Sequence, residues 1–419
     1  MKTKLLFTLL ASASTLVCAQ ATGGTNVTVY GLLDGGITQV SGLRGGSVKQ
    51  LTSGIMEGSR LGIRVNEDMG GGWRALVTLE HRLEMDTGEG SNRPPVAARG
   101  APDRLAQAAR LGLPSTLQPV VTAVSSQIAS GVGVNVASAS GNFWDRQIFG
   151  GLVTPVGAIL AGRMYTPGYE VSATFDALGT QSALAFGQVG AIPATLDIRL
   201  SNAVQYRIVT GGITASVMVA AGEGSASTGR MYGGMVMYKA SAFEVGVGYN
   251  TRENEIGAKS LTSTVAGVRV NLGTGHSLFG QYVGIKDDNP TGLSGLRAQL
   301  TPQVGAAAAG LVANAFINGL RQDATALHIG YKLETGPHTF YTAYNKLDDK
   351  RPANADTASF GVTYSYALSK RTDINAAITR FDNSGLGQAA PGGGGYLGGI
   401  TASAGTDSSS LALGVRHRF

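Results

Sequence analysis

The stretch Phe243-Glu244-Val245-Gly246-Val247-Gly248-Tyr249-Asn250 decides how this chain is read. Phe243, Val245, Val247 and Tyr249 alternate with Glu244, Gly246, Gly248 and Asn250. A period of two places the apolar side chains on one face of a β-strand and the small or polar ones on the other. The pattern returns on the following segments. Ala266, Val268 and Val270 oppose Gly267, Arg269 and Asn271; Leu327, Ile329, Tyr331 and Leu333 oppose His328, Gly330 and Lys332. Phe360, Val362, Tyr364 and Tyr366 oppose Ser359, Gly361, Thr363 and Ser365. At the end of the chain, Leu411, Leu413, Val415 and Phe419 oppose Ala412, Gly414, Arg416 and Arg418.

One apolar face also suits a soluble sandwich. Two features favour a membrane barrel. The polar face is rich in Gly, Ser, Thr and isolated charges, as a water-filled interior requires. The connections also alternate in length. Short turns (Glu67–Gly71, Thr154–Gly157, Thr210–Gly212, Lys239–Ser241, Leu272–Gly275, Thr335–Pro337, Ser369–Lys370) alternate with long polar or glycine-rich segments. Short turns at one end and long loops at the other mark an outer-membrane barrel. Sixteen strands are expected, at 26–40, 55–66, 72–86, 142–153, 157–165, 198–209, 213–221, 229–239, 242–252, 260–271, 275–287, 323–334, 338–348, 356–368, 371–382 and 408–419. Most exceed the roughly 9–11 residues that cross a bilayer at a tilt. The expected fold is therefore all-β: a transmembrane antiparallel barrel of about 16 strands with short periplasmic turns and long external loops. The long loops are 87–141, with a short helix around Leu105–Leu111, then 166–197, 288–322 and 383–407.

Composition agrees. Of 419 residues only 14% are charged, 62 are glycine and 43% are hydrophobic, with a net charge of +6. Soluble domains carry about 25% charged residues. No basic run suggests nucleic acid. Lys2 and Lys4, the apolar run Leu5–Leu10 and Ala19-Gln20-Ala21 read as a leader cleaved after Ala21. Residues 22–419 then form one barrel domain. The longest apolar stretch, Gly305–Leu320, contains Asn314 and Asn318 and is short for a membrane helix, so it reads as a helix or packed segment within a loop.

No catalytic constellation stands out. The five histidines lack ligand spacing, and neither a nucleophile elbow nor a phosphate-binding loop appears. No metal, cofactor or enzymatic activity is expected. The informative charges are arginines. Arg60 and Arg64 alternate with Leu61, Ile63 and Val65; Arg199 and Arg207 share a strand with Leu200, Val204, Tyr206 and Ile208; Arg163 precedes the loop at 166–197. An arginine facing lipid at the midplane costs about 2–4 kcal/mol, so these side chains are expected to face the lumen.

Several short motifs in order resemble one family. They are Val27-Thr28-Val29-Tyr30-Gly31, Gly58-Ser59-Arg60-Leu61-Gly62, Asp68-Met69-Gly70-Gly71-Gly72, Asp145-Arg146-Gln147, Gly162-Arg163 and Gly414-Val415-Arg416-His417-Arg418-Phe419. Together they resemble the sixteen-stranded trimeric general porins of Gram-negative outer membranes, especially the β-proteobacterial branch, over nearly the whole mature chain. The resemblance implies a diffusion channel in outer-membrane lipid, a homotrimer, and a third long loop, here 166–197, folded into the lumen. It implies an arginine wall of Arg60, Arg163 and Arg199 at the constriction; alternation adds Arg64 and Arg207 as lumen-facing candidates, and a displaced loop would instead bring Glu170 or Asp176 to the narrowing and cancel an anion preference. The resemblance also implies that Phe419 is read by the outer-membrane assembly machinery. The loop tip Thr180–Phe186 carries no carboxylate, unlike many such porins, so small anions are the expected preference. Other readings are a nutrient-specific channel and a non-conducting barrel acting as adhesin or structural protein.

Overall fold

A computed structural model describes residues 24–90, 100–130, 143–180, 182–189, 196–222, 228–392 and 399–419. The expected leader at 1–21 lies outside the described residues, as do Gln181 and Gly393–Gly395. The strands are β1 (Asn26–Leu43), β2 (Gly46–Ser53), β3 (Arg60–Gly70), β4 (Trp73–Arg82), β5 (Gln147–Thr154), β6 (Gly157–Tyr165), β7 (Arg199–Thr210), β8 (Ile213–Ala220), β9 (Met231–Lys239) and β10 (Phe243–Glu253). They continue with β11 (Lys259–Gly273), β12 (His276–Asp287), β13 (Gln322–Thr335), β14 (His338–Asp349), β15 (Thr357–Ala367) and β16 (Thr372–Asn383). A separate two-stranded pair, β17 (Ala389–Ala390) and β18 (Gly399–Ile400), lies in the last long loop, and β19 (Ser408–Arg418) closes the ring.

Each strand pairs antiparallel with its neighbour, and β1 pairs with β19, so the sheet has no free edge. Closure matters in lipid, where an unpaired backbone amide finds no water. β2 and β3 both pair with β1 and together form one member of the ring, which gives the closed 16-strand barrel. Here the structure corrects the expectation of a continuous strand at 55–66. Residues 54–59 leave the ladder because the buried Asp34 carboxylate accepts the backbone N–H groups of Ile55, Met56 and Glu57 at 2.7–3.0 Å. The expected fourth strand likewise starts later, at Gln147. Two-residue links at 71–72, 155–156, 211–212, 274–275 and 336–337 and slightly longer ones at 240–242 and 368–371 join hairpins at one end, as the sequence predicted.

The faces also follow the alternation. Val245, Val247, Leu327, Ile329, Phe360, Val362, Leu411 and Leu413 are exposed on the outside, where lipid takes the place of a core. Inside, Asn250, His328, Asn345, Ser359, Thr363, Asn375 and Thr379 are buried. Beyond β4 lie helices α1 (Asp103–Ala106) and α2 (Gln118–Ser130), with a 3-10 turn at Ala108–Leu111 completing the expected helical stretch. Helix α3 (Pro167–Phe175) lies in the 166–197 loop, and α4 (Leu296–Leu320) follows β12. The last contains the apolar run Gly305–Leu320 and is broken at Gly305, which has φ 77°.

Candidate functional site

Helix α3 lies inside the barrel because the strands leave room for it. Thr166 caps its start, accepting the Tyr169 N–H, and Pro167 occupies the first turn, where a missing N–H costs nothing. The helix packs on β9, β10, β11 and β12. A methyl group added at Gly246 would sit 2.9 Å from the Phe175 ring, and at Gly248 2.9 Å from Val171 Cγ2. At Gly267 it would overlap the Phe175 ring, and at Gly330 it would meet Ala177 Cβ at 2.6 Å. These inward glycines make a groove, and Phe175 and Val171 fill it with no exposure.

Polar bonds hold the loop along the same wall. Gly168 N–H donates to Asn250 Oδ1 at 3.0 Å, Ser172 Oγ to Gln281 Oε1 at 2.9 Å, and Ala177 N–H to His328 Nε2 at 3.1 Å. Asn345 Nδ2 donates to the Leu184 carbonyl at 2.8 Å. The described part of the tip then turns through two left-handed residues, Thr180 (φ 59°) and Ser182 (φ 72°). Leu178, Leu184 and Ala185 pack against Ile55, Met56, Ala343, Ala377 and Ala412. The loop thus lines the lumen from β9 round to β19.

The remaining wall, from β1 to β7, carries the arginines. Glu80 is their hub. Its Oε1 accepts Arg146 Nε at 2.6 Å, and its Oε2 accepts the Tyr30 hydroxyl at 3.1 Å. Tyr165 joins two cations, accepting from Arg146 Nη2 at 3.2 Å and Arg199 Nη2 at 2.8 Å. Arg199 also stacks over the Tyr165 ring and Arg64 over the Tyr30 ring, each at 4.5 Å to the centroid. Arg60 donates to the Gly58 carbonyl and pairs with Glu57 at 3.1 Å; Glu57 also holds Arg416 and Arg418. Arg82 pairs with Glu84 at 3.3 Å. Burial pushes the Glu84 carboxyl, just beyond β4, up to about 7 against the pull of Arg82.

The site residues named from the sequence therefore fall in different places. Arg60, Arg64 and Arg199 lie on the wall. Arg163 lies beside them where the ladder bulges between Gly162 and Met164, half-buried and donating to the Asp145 carbonyl and Ser201 Oγ. Arg207 reaches the loop itself, pairing with Glu170 at 2.5 Å. Asp176 does not face open lumen. It is 2% exposed, and its carboxylate accepts the N–H groups of Leu178 and Phe186, fastening the loop from within. Phe419 lies at the seam, exchanging backbone hydrogen bonds with Gly31 while its ring covers that glycine. The sequence reading did not place Glu57, Glu80, Arg82, Arg146 or Tyr165 at the site. Thr78, Glu80 and Arg82 do share the inward phase of β4, so this part of the signal was present.

A closed barrel of this size, with one loop inside it and a charged wall across from that loop, defines an outer-membrane channel protein. The Gram-negative porin family matches residues 7–386, and the chain belongs to that family. It is thus a protein of the Gram-negative outer membrane. Among solved structures, the anion-selective porin from Comamonas acidovorans is similar at 20% identity and TM-score 0.67, covering 94% of this chain and all of that one. The trimer form of OmpT, an outer membrane protein of Vibrio cholerae, is similar at 13% identity and TM-score 0.58, covering 94% and 100%. OmpF of Salmonella typhi, in complex with daunomycin, is similar at 13% identity and TM-score 0.58, covering 94% and 98%. At these identities the likeness shows the fold. No curated protein sequence matches the chain.

Proposed function

We propose that the protein is a passive diffusion channel for small hydrophilic solutes and ions, preferring anions, and that it works as a homotrimer without catalytic residue or cofactor. One observation carries the preference. The loop occupies the inner face from β9 to β19, and across from it the six guanidiniums of Arg60, Arg64, Arg82, Arg146, Arg163 and Arg199 outnumber the five carboxylates of Asp34, Glu57, Glu80, Glu84 and Asp145. Of the loop's acids, Glu170 is taken by Arg207 and Asp197 by Arg252. A cationic wall raises the local concentration of anions in a narrow aqueous passage. The printed description of the Comamonas acidovorans structure as anion-selective supports this reading, and the trimer form of the Vibrio cholerae protein supports the assembly.

The test is the reversal potential of the purified protein in a planar bilayer under a potassium chloride gradient. A chloride-directed potential is expected. A potassium-directed one would keep the channel and remove the preference, and correctly folded barrels without conductance would remove the channel. Heat-sensitive migration in detergent gels checks the trimer.

A further inference from the structure

The loop leaving β4 packs on the loop that follows β12 before it returns to β5. β4 and β12 are eight places apart in a ring of sixteen, so the loops that follow them rise from opposite sides of the mouth. Their helices nevertheless share one apolar core. Leu105, Ala108, Val121 and Val124 from the first loop pack with Leu296, Leu300, Ala309, Val312, Ala313 and Phe316 from the second. Leu105, Val121, Val312 and Phe316 have no exposure. Arg104 Nη1 donates to the Gly319 carbonyl at 2.7 Å, and a methyl group at Gly319 would sit 2.8 Å from Leu105 Cδ2.

Other loops are tied to the same turn. Asp103 pairs with Arg44, between β1 and β2, at 2.6 Å and accepts the Ala404 N–H at 3.1 Å. Its own N–H donates to Gln388 Oε1 at 2.5 Å. Ala404 and Gln388 belong to the loop between β16 and β19. β13 and β19 are four strand spacings apart, about 19 Å at about 4.8 Å each. Asp103 and Leu105, which hold the two loops, are only about 3 Å apart along a helix axis. The loops must therefore lean together over the mouth.

We propose that residues 100–130 and α4 form a lid across the external mouth, and that this lid sets the size limit for entering solutes before they reach the inner loop. The inference rests on the channel reading above. Its ties are of two kinds. The apolar core joins the opposite rims, and Asp103 draws in the flanking loops. Neither group of residues lies on the arginine wall, so the lid can be opened while the constriction is left as it is.

The test is swelling of proteoliposomes in sugars of increasing size, with wild type, Phe316→Asp and the gentler Gly319→Val. Phe316→Asp buries an unpaired charge in the shared core, and Gly319→Val wedges it from Leu105. Limited proteolysis within 100–130 reports whether the lid has opened, and heat-modifiable migration reports whether the barrel has folded. The lid is supported if the opened variants admit larger sugars several-fold faster while the smallest sugar and the reversal potential stay at wild-type values. The lid is overturned if opened variants show the wild-type size profile. If wild type admits no sugar and the opened variants do, the lid is a plug and the barrel is still a channel. If no folded variant admits any sugar, the channel reading fails together with the lid.

Discussion

The two halves of the inner wall are made from the same alternating pattern and do opposite things. On β10, β11 and β13 the inward positions include Gly246, Gly248, Gly267 and Gly330, and the missing side chains admit α3 and the chain that follows it. On β3, β4 and β7 they include Arg60, Glu80, Arg82, Arg199 and Arg207, and these charged side chains are buried against polar partners of their own. Glycine in a strand usually signals a weak element, costing about 0.5–1 kcal/mol relative to alanine. Here the cost is offset by burial of Phe175 and Val171. An inward glycine on such a strand is thus as informative as an inward charge: one marks where a loop lies, the other where the charged wall stands.

The comparison can be broken from either side. The largest effect is expected from Phe175→Ala, which leaves the groove unfilled. Loss of a buried phenylalanine costs about 3–5 kcal/mol, enough to release the helix from the wall. Single-channel conductance should rise and become noisier; a quiet wild-type conductance would mean that the polar bonds alone hold the loop. Next is Glu80→Gln. Breaking a buried ion pair costs about 3 kcal/mol and leaves Arg146 without its counter-charge. The denaturation midpoint should fall and the reversal potential should move further toward chloride.

Neutralising Arg60 and Arg163 together should do the reverse. A unit charge about 6 Å from a passing ion in water is worth about 0.7 kcal/mol, or about threefold for each ion in opposite directions, so each removal should change the chloride-to-potassium permeability ratio by about tenfold. An unchanged ratio would show that the wall is screened and that selectivity lies elsewhere. The smallest effect is with pH. The Glu84 carboxyl, held up at about 7, takes a proton as the pH falls from 8 to 6 and leaves Arg82 less compensated. Anion preference should therefore increase modestly on acidification, and Glu84→Gln should abolish that dependence.

The barrel was largely legible in the sequence because period-two alternation and turn chemistry are local. The strand expected at 157–165 is observed at those limits, and most others differ by one or two residues. What escaped depends on contacts between distant segments. The break at 54–59 is set by Asp34, a single carboxylate across the ladder; Gly54 (φ 77°) and Gly58 permit it, but only the distant carboxylate fixes it. The arginine wall was readable strand by strand, but Tyr165 and Glu80 became its connectors only when β4, β6 and the segment before β5 came together. Asp176 looked like a free acid of the loop and proved to be a buried fastener, because loop backbone N–H groups needed an acceptor.

The seam where β1 meets β19 has a consequence in time. Gly31 and Phe419 exchange backbone hydrogen bonds from opposite ends of the chain, so the contact that completes the ring is also among the most distant in sequence. Such pairings impose a loop-closure entropy that is met before any of their stabilisation returns, and they slow folding. Until that zipper shuts, β1 and β19 present bare edges to any other strand nearby. The barrel is thus most vulnerable at the last moment of its assembly, and the ring of Phe419 over Gly31 marks where that interval ends.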